Sequence, residues 1–224
     1  MKRTGNPTRS SERAAARSRK GSQTALERAR QVLAQEAARI IVEQGIRDFR
    51  VAKRKAAERL GMSARGVLPG NPEIERAVGE HLQLFGRESH LDFLQGLRRA
   101  ALSAMDLLAP FGPRLVGPVL SGTAASNSAI NLHVFADSFE QVAMKLEEMR
   151  VPYRLYERRL KSRRDRAETF AGLRFTHQES AVEATVFPVK GLRQAPISPV
   201  DGKPMRRADA RAVRDLLAGE PDPA

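Results

Sequence analysis

The sequence predicts an α+β protein whose first half is helical and whose second half carries the sheet. Three observations predict it. Apolar residues recur at spacings of three and four between Ala25 and Leu108. The periodicity changes at Pro110-Phe111-Gly112-Pro113. Short runs rich in β-formers then follow, separated by Gly, Pro and Ser/Thr clusters. The expected organisation is a basic arm over residues 1–23, a helical region over 24–109 and an α+β domain over 110–224.

The arm carries Lys2, Arg3, Arg9, Arg13, Arg17, Arg19 and Lys20 against Glu12. Such a composition buries too little apolar surface to offset chain entropy, so a disordered arm is expected, either solvated or gripping nucleic acid. Leu26, Leu33, Ala37, Ile40 and Ile41 then fall on one helical face, which ends near Gly45. Phe49 to Leu60 forms a second helix, stopped by Gly61, with a loop at Gly66 to Gly70. Asn71-Pro72 reads as an N-cap and first helical residue of a third helix, burying Ile74, Ala77, Val78, His81 or Leu82, and Phe85. A fourth helix runs from about Ser89 to Leu108.

Beyond Pro113, Arg114 to Leu120 and Ile130 to Phe135 read as strands around a small-residue loop. Ser138 with Gln141 is a capping box for a helix reaching Met149. Tyr153 to Leu160, Gly172 to His177 and Val182 to Pro188 are further strands, and Ala208 to Leu217 is a last helix.

Charge bounds the partners. In 224 residues, 39 Lys and Arg stand against 26 Asp and Glu, a formal net charge of +13, which attracts polyanions and favours phosphate backbones through counterion release. There is no cysteine, which excludes disulfides, thiolate metal sites and thiol catalysis. The four histidines, His81, His90, His133 and His177, lack the spacing of a zinc site. No apolar run approaches the roughly 20 residues that cross a bilayer. No apolar stretch follows the basic Met1-Lys2-Arg3 start, so a cytoplasmic protein without a membrane partner is expected.

The segment from Gly117 to Val134, Gly-Pro-Val-Leu-Ser-Gly-Thr-Ala-Ala-Ser-Asn-Ser-Ala-Ile-Asn-Leu-His-Val, resembles the strand–turn–strand signature of minimal nucleotidyltransferases. The resemblance covers about residues 113–190 and implies a small nucleotidyltransferase-like mixed sheet with flanking helices. In that family a Gly-Ser turn opens a loop containing Gly-Thr, and the next strand carries Asp-x-Asp. A later strand supplies a third carboxylate. Those acids hold magnesium ions that clamp the reacting oxygens, while the turn holds the triphosphate. Carried onto this chain, the phosphate-binding positions are Gly117, Ser121, Gly122 and Thr123, and the family's turn serine is Pro118. The paired aspartate positions fall on Ala129 and Asn131, or on Asn131 and His133 if the loop shifts by two. The third acid is Glu183. Neither register gives two carboxylates, so Mg2+ is expected only if catalysis survives, with Glu183, Asn131 and His133 as the catalytic set. The chain also resembles a bacterial family with a similar helical start and a Ser-Pro-Val-Asp-Gly-Lys-Pro-Met-like ending, seen here at residues 198–205.

Other constellations bear on partners. Arg154, Arg158, Arg159, Lys161, Arg163, Arg164 and Arg166 crowd one expected hairpin, with Arg154 and Arg158 on one strand face and Lys161 to Arg166 at the tip. They suit a phosphate backbone, or form a solvated loop. His133 is either a satisfied strand histidine or a binder of base or phosphate. The Ser198–Arg207 stretch is a connection to the last helix, or presents Asp201, Lys203 and Arg206 to a ligand. Ala56 to Gly66 resembles the turn before the recognition helix of Tet-repressor-type regulators, but Gly66, Pro69, Gly70 and Pro72 leave little helix to read a groove. Three readings follow. The first is a non-catalytic nucleotidyltransferase-like protein binding RNA or a ribonucleoprotein. The second is an active metal-dependent nucleotidyltransferase with altered ligands, and the third is a DNA-binding regulator.

Overall fold

The structure is a computed structural model that describes residues 9–62, 68–84, 87–162 and 166–219, with the backbone course alone for residues 9–22, 87 and 88. Residues 1–8 of the basic arm, the Gly66 turn, Phe85, and the hairpin residues Arg163 and Arg164 lie outside the described residues. The chain is α+β and divides into two compact units, Met1–Val78 and Gly79–Ala224.

In the first unit α1 runs Arg9–Gln44 and α2 runs Phe49–Arg59. α1 therefore starts well inside the 1–23 segment expected to be disordered. Residues 9–23 are rich in Arg and Ala, good helix formers, and a helix nucleated further along extends into such residues at little cost. Leu33, Ala34, Ala37, Ala38 and Ile40 of α1 are buried, as are Ala52, Ala56 and Ala57 of α2, so small side chains let the two helices approach closely. Asp48 caps α2, its carboxylate accepting from the amides of Arg50 at 2.7 Å and Val51 at 3.4 Å. α3 (Asn71–Leu84) starts in this unit, buries Ile74, Ala77 and Val78, and pairs Glu73 with Arg30 of α1 at 2.9 Å.

The second unit holds the sheet. Its elements in order are α4 (Arg87–Leu107), β1 (Arg114–Val116), α5 (Pro118–Ser121), β2 (Ile130–Phe135), α6 (Phe139–Glu148), β3 (Tyr153–Lys161), β4 (Ala167–His177), β5 (Ser180–Phe187) and α7 (Ala210–Ala218). The strand order is β1-β2-β5-β4-β3, with β2 and β5 parallel and the other neighbours antiparallel. One expected strand is shorter than its pattern. β1 stops at Val116, because Gly117 takes φ 73° and ψ −154°, a region open essentially to glycine, and Pro118 then starts a helical turn as its first residue. β4 is longer than expected, starting at Ala167, because it pairs with β3 along that strand's whole length.

Alternation gives the sheet two unlike faces. Leu115, Ile130, Leu132, Val134, Leu173, Phe175, Val182, Ala184 and Val186 share a core with Leu97, Ala101, Met105 and Leu108 of α4, Val142 and Leu146 of α6, and Val213 of α7. α4 is thus a sheet-flanking helix. The opposite face carries Asn131, His133 and Phe135 of β2, Glu183, Thr185 and Phe187 of β5, and Phe170, Gly172 and Arg174 of β4. Arg154, Tyr156 and Arg158 of β3 and Arg114 of β1 complete it. Among the described residues no helix is long and apolar enough to cross a membrane.

Candidate functional site

The polar face of the sheet is organised in cross-strand rows. The register sets Asn131 beside Glu183, Glu183 beside Arg174, and Arg174 beside Arg154. The next row runs Arg114, His133, Thr185, Gly172 and Tyr156. The third brings Phe135 to Phe187, with Phe170 stacked on Phe187 at 4.4 Å between ring centroids.

Glu183 is the centre of the first row and only 1% exposed. Arg158 donates to its Oε2 at 2.8 Å and Arg174 to its Oε1 at 2.7 Å. Arg158 also donates to Asn131 Oδ1 at 3.1 Å, while Asn131 Nδ2 turns back to the Ala129 carbonyl at 3.0 Å. One guanidinium therefore joins the two positions that the sequence aligned with the metal ligands. Tyr156 lies across the sheet beneath both arginines, each guanidinium 5.8 Å from the ring centroid. Its hydroxyl shares a 2.8 Å hydrogen bond with Thr185, and burial, first among the causes, raises its pKa. Gly172 makes this possible, since a Cβ there would overlap the Tyr156 ring.

This donor set does not fit magnesium, a hard cation that takes oxygen ligands in octahedral array. Ala129 offers no side-chain oxygen, and both oxygens of Glu183 already accept from guanidinium groups. Among the described residues no three His, Asp or Glu side chains come together as a metal would need.

The turn expected to hold phosphate is built from its own hydrogen bonds. The amides of Ser121, Gly122 and Thr123 donate to the carbonyls of Gly117 and Pro118 at 2.9–3.0 Å. The Ser121 and Thr123 hydroxyls meet at 2.9 Å. Arg98 of α4 donates to the Val119 and Leu120 carbonyls at 3.2 and 3.3 Å, and the His90 ring meets the Gly122 carbonyl at 3.2 Å. Gly117 brings its backbone against Asn131, where a Cβ would sit 3.4 Å from Nδ2.

His133 is 1% exposed and bonded to a residue the sequence left aside. Arg207 Nε donates to His133 Nδ1 at 3.0 Å, which fixes the neutral ring with its proton on Nε2. Burial, then the charges of Arg207 and Arg158, hold the His133 pKa well below its ordinary value. Arg207 also donates to the Gly191 and Leu192 carbonyls at 2.8 and 3.3 Å and lies over Phe135 and Phe187, 5.0 and 5.1 Å from their centroids. Burial, aided by Arg114, pushes its pKa down to about 10.

The basic cluster of the hairpin is split by alternation. Arg154 and Arg158 lie on the polar face, whereas Arg159 and Lys161 point to the other face of β3. The Arg166 carbonyl accepts from the Ser162 amide at 2.8 Å. Of the Ser198–Arg207 candidates, Asp201 and Lys203 form a local turn in which the Lys203 amide donates to the Asp201 carboxylate at 3.1 Å. Arg174, Tyr156, Thr185 and Arg207 were not legible as site residues. Their roles come from strand register and a returning loop, which no local spacing encodes. Comparison of the chain with protein-family models, curated proteins and solved structures finds no match.

Proposed function

We propose that this chain is a non-catalytic module with a nucleotidyltransferase-like sheet, binding RNA, alone or in a ribonucleoprotein, through the arginine-bearing face. The observation that carries the reading is Arg158 joining Asn131 to Glu183, with Arg174 on the other Glu183 oxygen. Where the related enzymes would gather cations between acids, this chain has cations of its own. The reading also draws on Arg154 and Arg174, which stand directly opposite each other on that face. Like charges in that position repel, and an anionic partner relieves the repulsion. Half-buried Phe170 lies on the same face and offers a ring for a base to stack on.

The test has two arms. Incubation with α-labelled nucleoside triphosphates, magnesium or manganese, and total RNA and protein as acceptors leaves no label transferred. Total RNA is retained on the protein at low salt with EDTA present. Label transfer that disappears in Glu183→Gln overturns the non-catalytic reading in favour of an active enzyme. Loss of RNA retention with duplex DNA still bound favours a DNA-binding protein instead.

A further inference from the structure

We propose that the His133–Arg207 pair, with Arg114 beside it, forms a binding site for one phosphate-type oxyanion, separate from the exposed arginines of the RNA-binding face. His133 Nε2 and Arg207 Nη2 are buried with no hydrogen-bond partner among the described residues. Because His133 Nδ1 accepts from Arg207, Nε2 carries the proton, so both atoms are donors. Each is costly to leave unmade. A ligand that satisfies two donors must supply acceptors.

The surroundings select an anion. Arg114 is the cross-strand neighbour of His133, and Arg158 is close enough to act on its charge. Arg207 is paired with carbonyls and a neutral ring, not with a carboxylate, among the described residues. The acid of the neighbouring cross-strand row, Glu183, is held by Arg158 and Arg174. Geometry favours a tetrahedral oxyanion over a carboxylate. A carboxylate binds arginine best through two parallel N–H groups, but Arg207 has already committed Nε and Nη1. Only Nη2 is left, and a phosphate group can take single bonds from donors pointing in different directions. Arg207 as a whole is half-buried and lies three residues beyond the exposed 201–204 segment.

Inorganic phosphate is the probe, measured by equilibrium dialysis on the full chain in chloride buffer. The expected result is one phosphate per chain, with affinity reduced about tenfold or more in Arg207→Gln. The double variant Arg154→Gln/Arg174→Gln keeps phosphate binding while weakening RNA binding, which separates this site from the exposed arginines of the RNA-binding face. Circular dichroism establishes that each variant is folded. Should Arg207→Gln not fold, Arg114→Gln carries the same test with a smaller loss. No saturable binding at millimolar phosphate overturns the proposal, as does binding that survives Arg207→Gln or is abolished by the Arg154/Arg174 change.

Discussion

Glu183 shows how one residue's neighbours change its chemistry. A buried carboxylate is tolerable only with cations and hydrogen bonds around it, and here two guanidinium groups supply both. Glu183→Gln keeps the shape but leaves Arg158 and Arg174 without their counter-charge. We expect a loss of about 2 kcal/mol in urea unfolding, below the usual cost of breaking a buried pair because both arginines are partly solvated. An unchanged midpoint would mean that the arginines do not depend on this carboxylate. His133 sets a pH dependence. Its folded pKa lies well below the ordinary 6.5, so the unfolded chain binds the proton more readily. Stability from this group is therefore present above pH 6.5 and falls as pH drops below it, by at most about 1.4 kcal/mol per pH unit. His133→Gln removes that part of the slope between pH 6.5 and 5, as read from unfolding midpoints across the range. A slope equal to that of the natural protein would place its origin elsewhere.

At the scale of elements, the residues of β2 and β5 were readable from alternation, and so was the presence of Glu183 in the second of them. Helices α2, α3 and α6 follow their spacings closely, but α3 already starts at Asn71, the expected cap, and Ser138 stands at the N-cap of α6 without a side-chain capping bond. What alternation could not supply was register. Arg174 meets Glu183 and Tyr156 meets Gly172 only because β4 pairs with both β5 and β3, a non-local outcome. The N-terminal extent of α1 escapes a reading by composition, which argues for a disordered arm, whereas helix propensity favours continuing the helix. The pattern overstates the length of β1, because Val119 and Leu120 suit a strand while Gly117 and Pro118 break one. The β3–β4 pairing makes its own prediction. Gly172→Ala pushes a methyl into the Tyr156 ring and lowers stability by about 1–3 kcal/mol, the usual cost of overpacking. Adding Tyr156→Ala recovers part of that loss, as a double-mutant cycle on thermal unfolding will show. Strictly additive losses would mean that the ring does not depend on the glycine.

For the molecule as a whole, a formal net charge of +13 says that polyanions are attracted but not where they land. The sheet distributes that charge unevenly. Arg114, Arg154, Arg158 and Arg174 share the face opposite the apolar core, while Arg159 and Lys161 lie on the other side of β3. RNA binding is proposed at the first face, and the two sets of cations separate that proposal from mere basicity. The direct measurement is RNA affinity as a function of salt, with EDTA present, for the natural protein, Arg154→Gln/Arg174→Gln, and Arg159→Gln/Lys161→Gln. The first pair is expected to weaken binding and lower the slope of log affinity against log salt by roughly 1–2, while the second leaves the slope nearly unchanged. Equal losses from both pairs, or a loss confined to Arg159 and Lys161, would overturn the assignment of RNA to the Arg154 and Arg174 face.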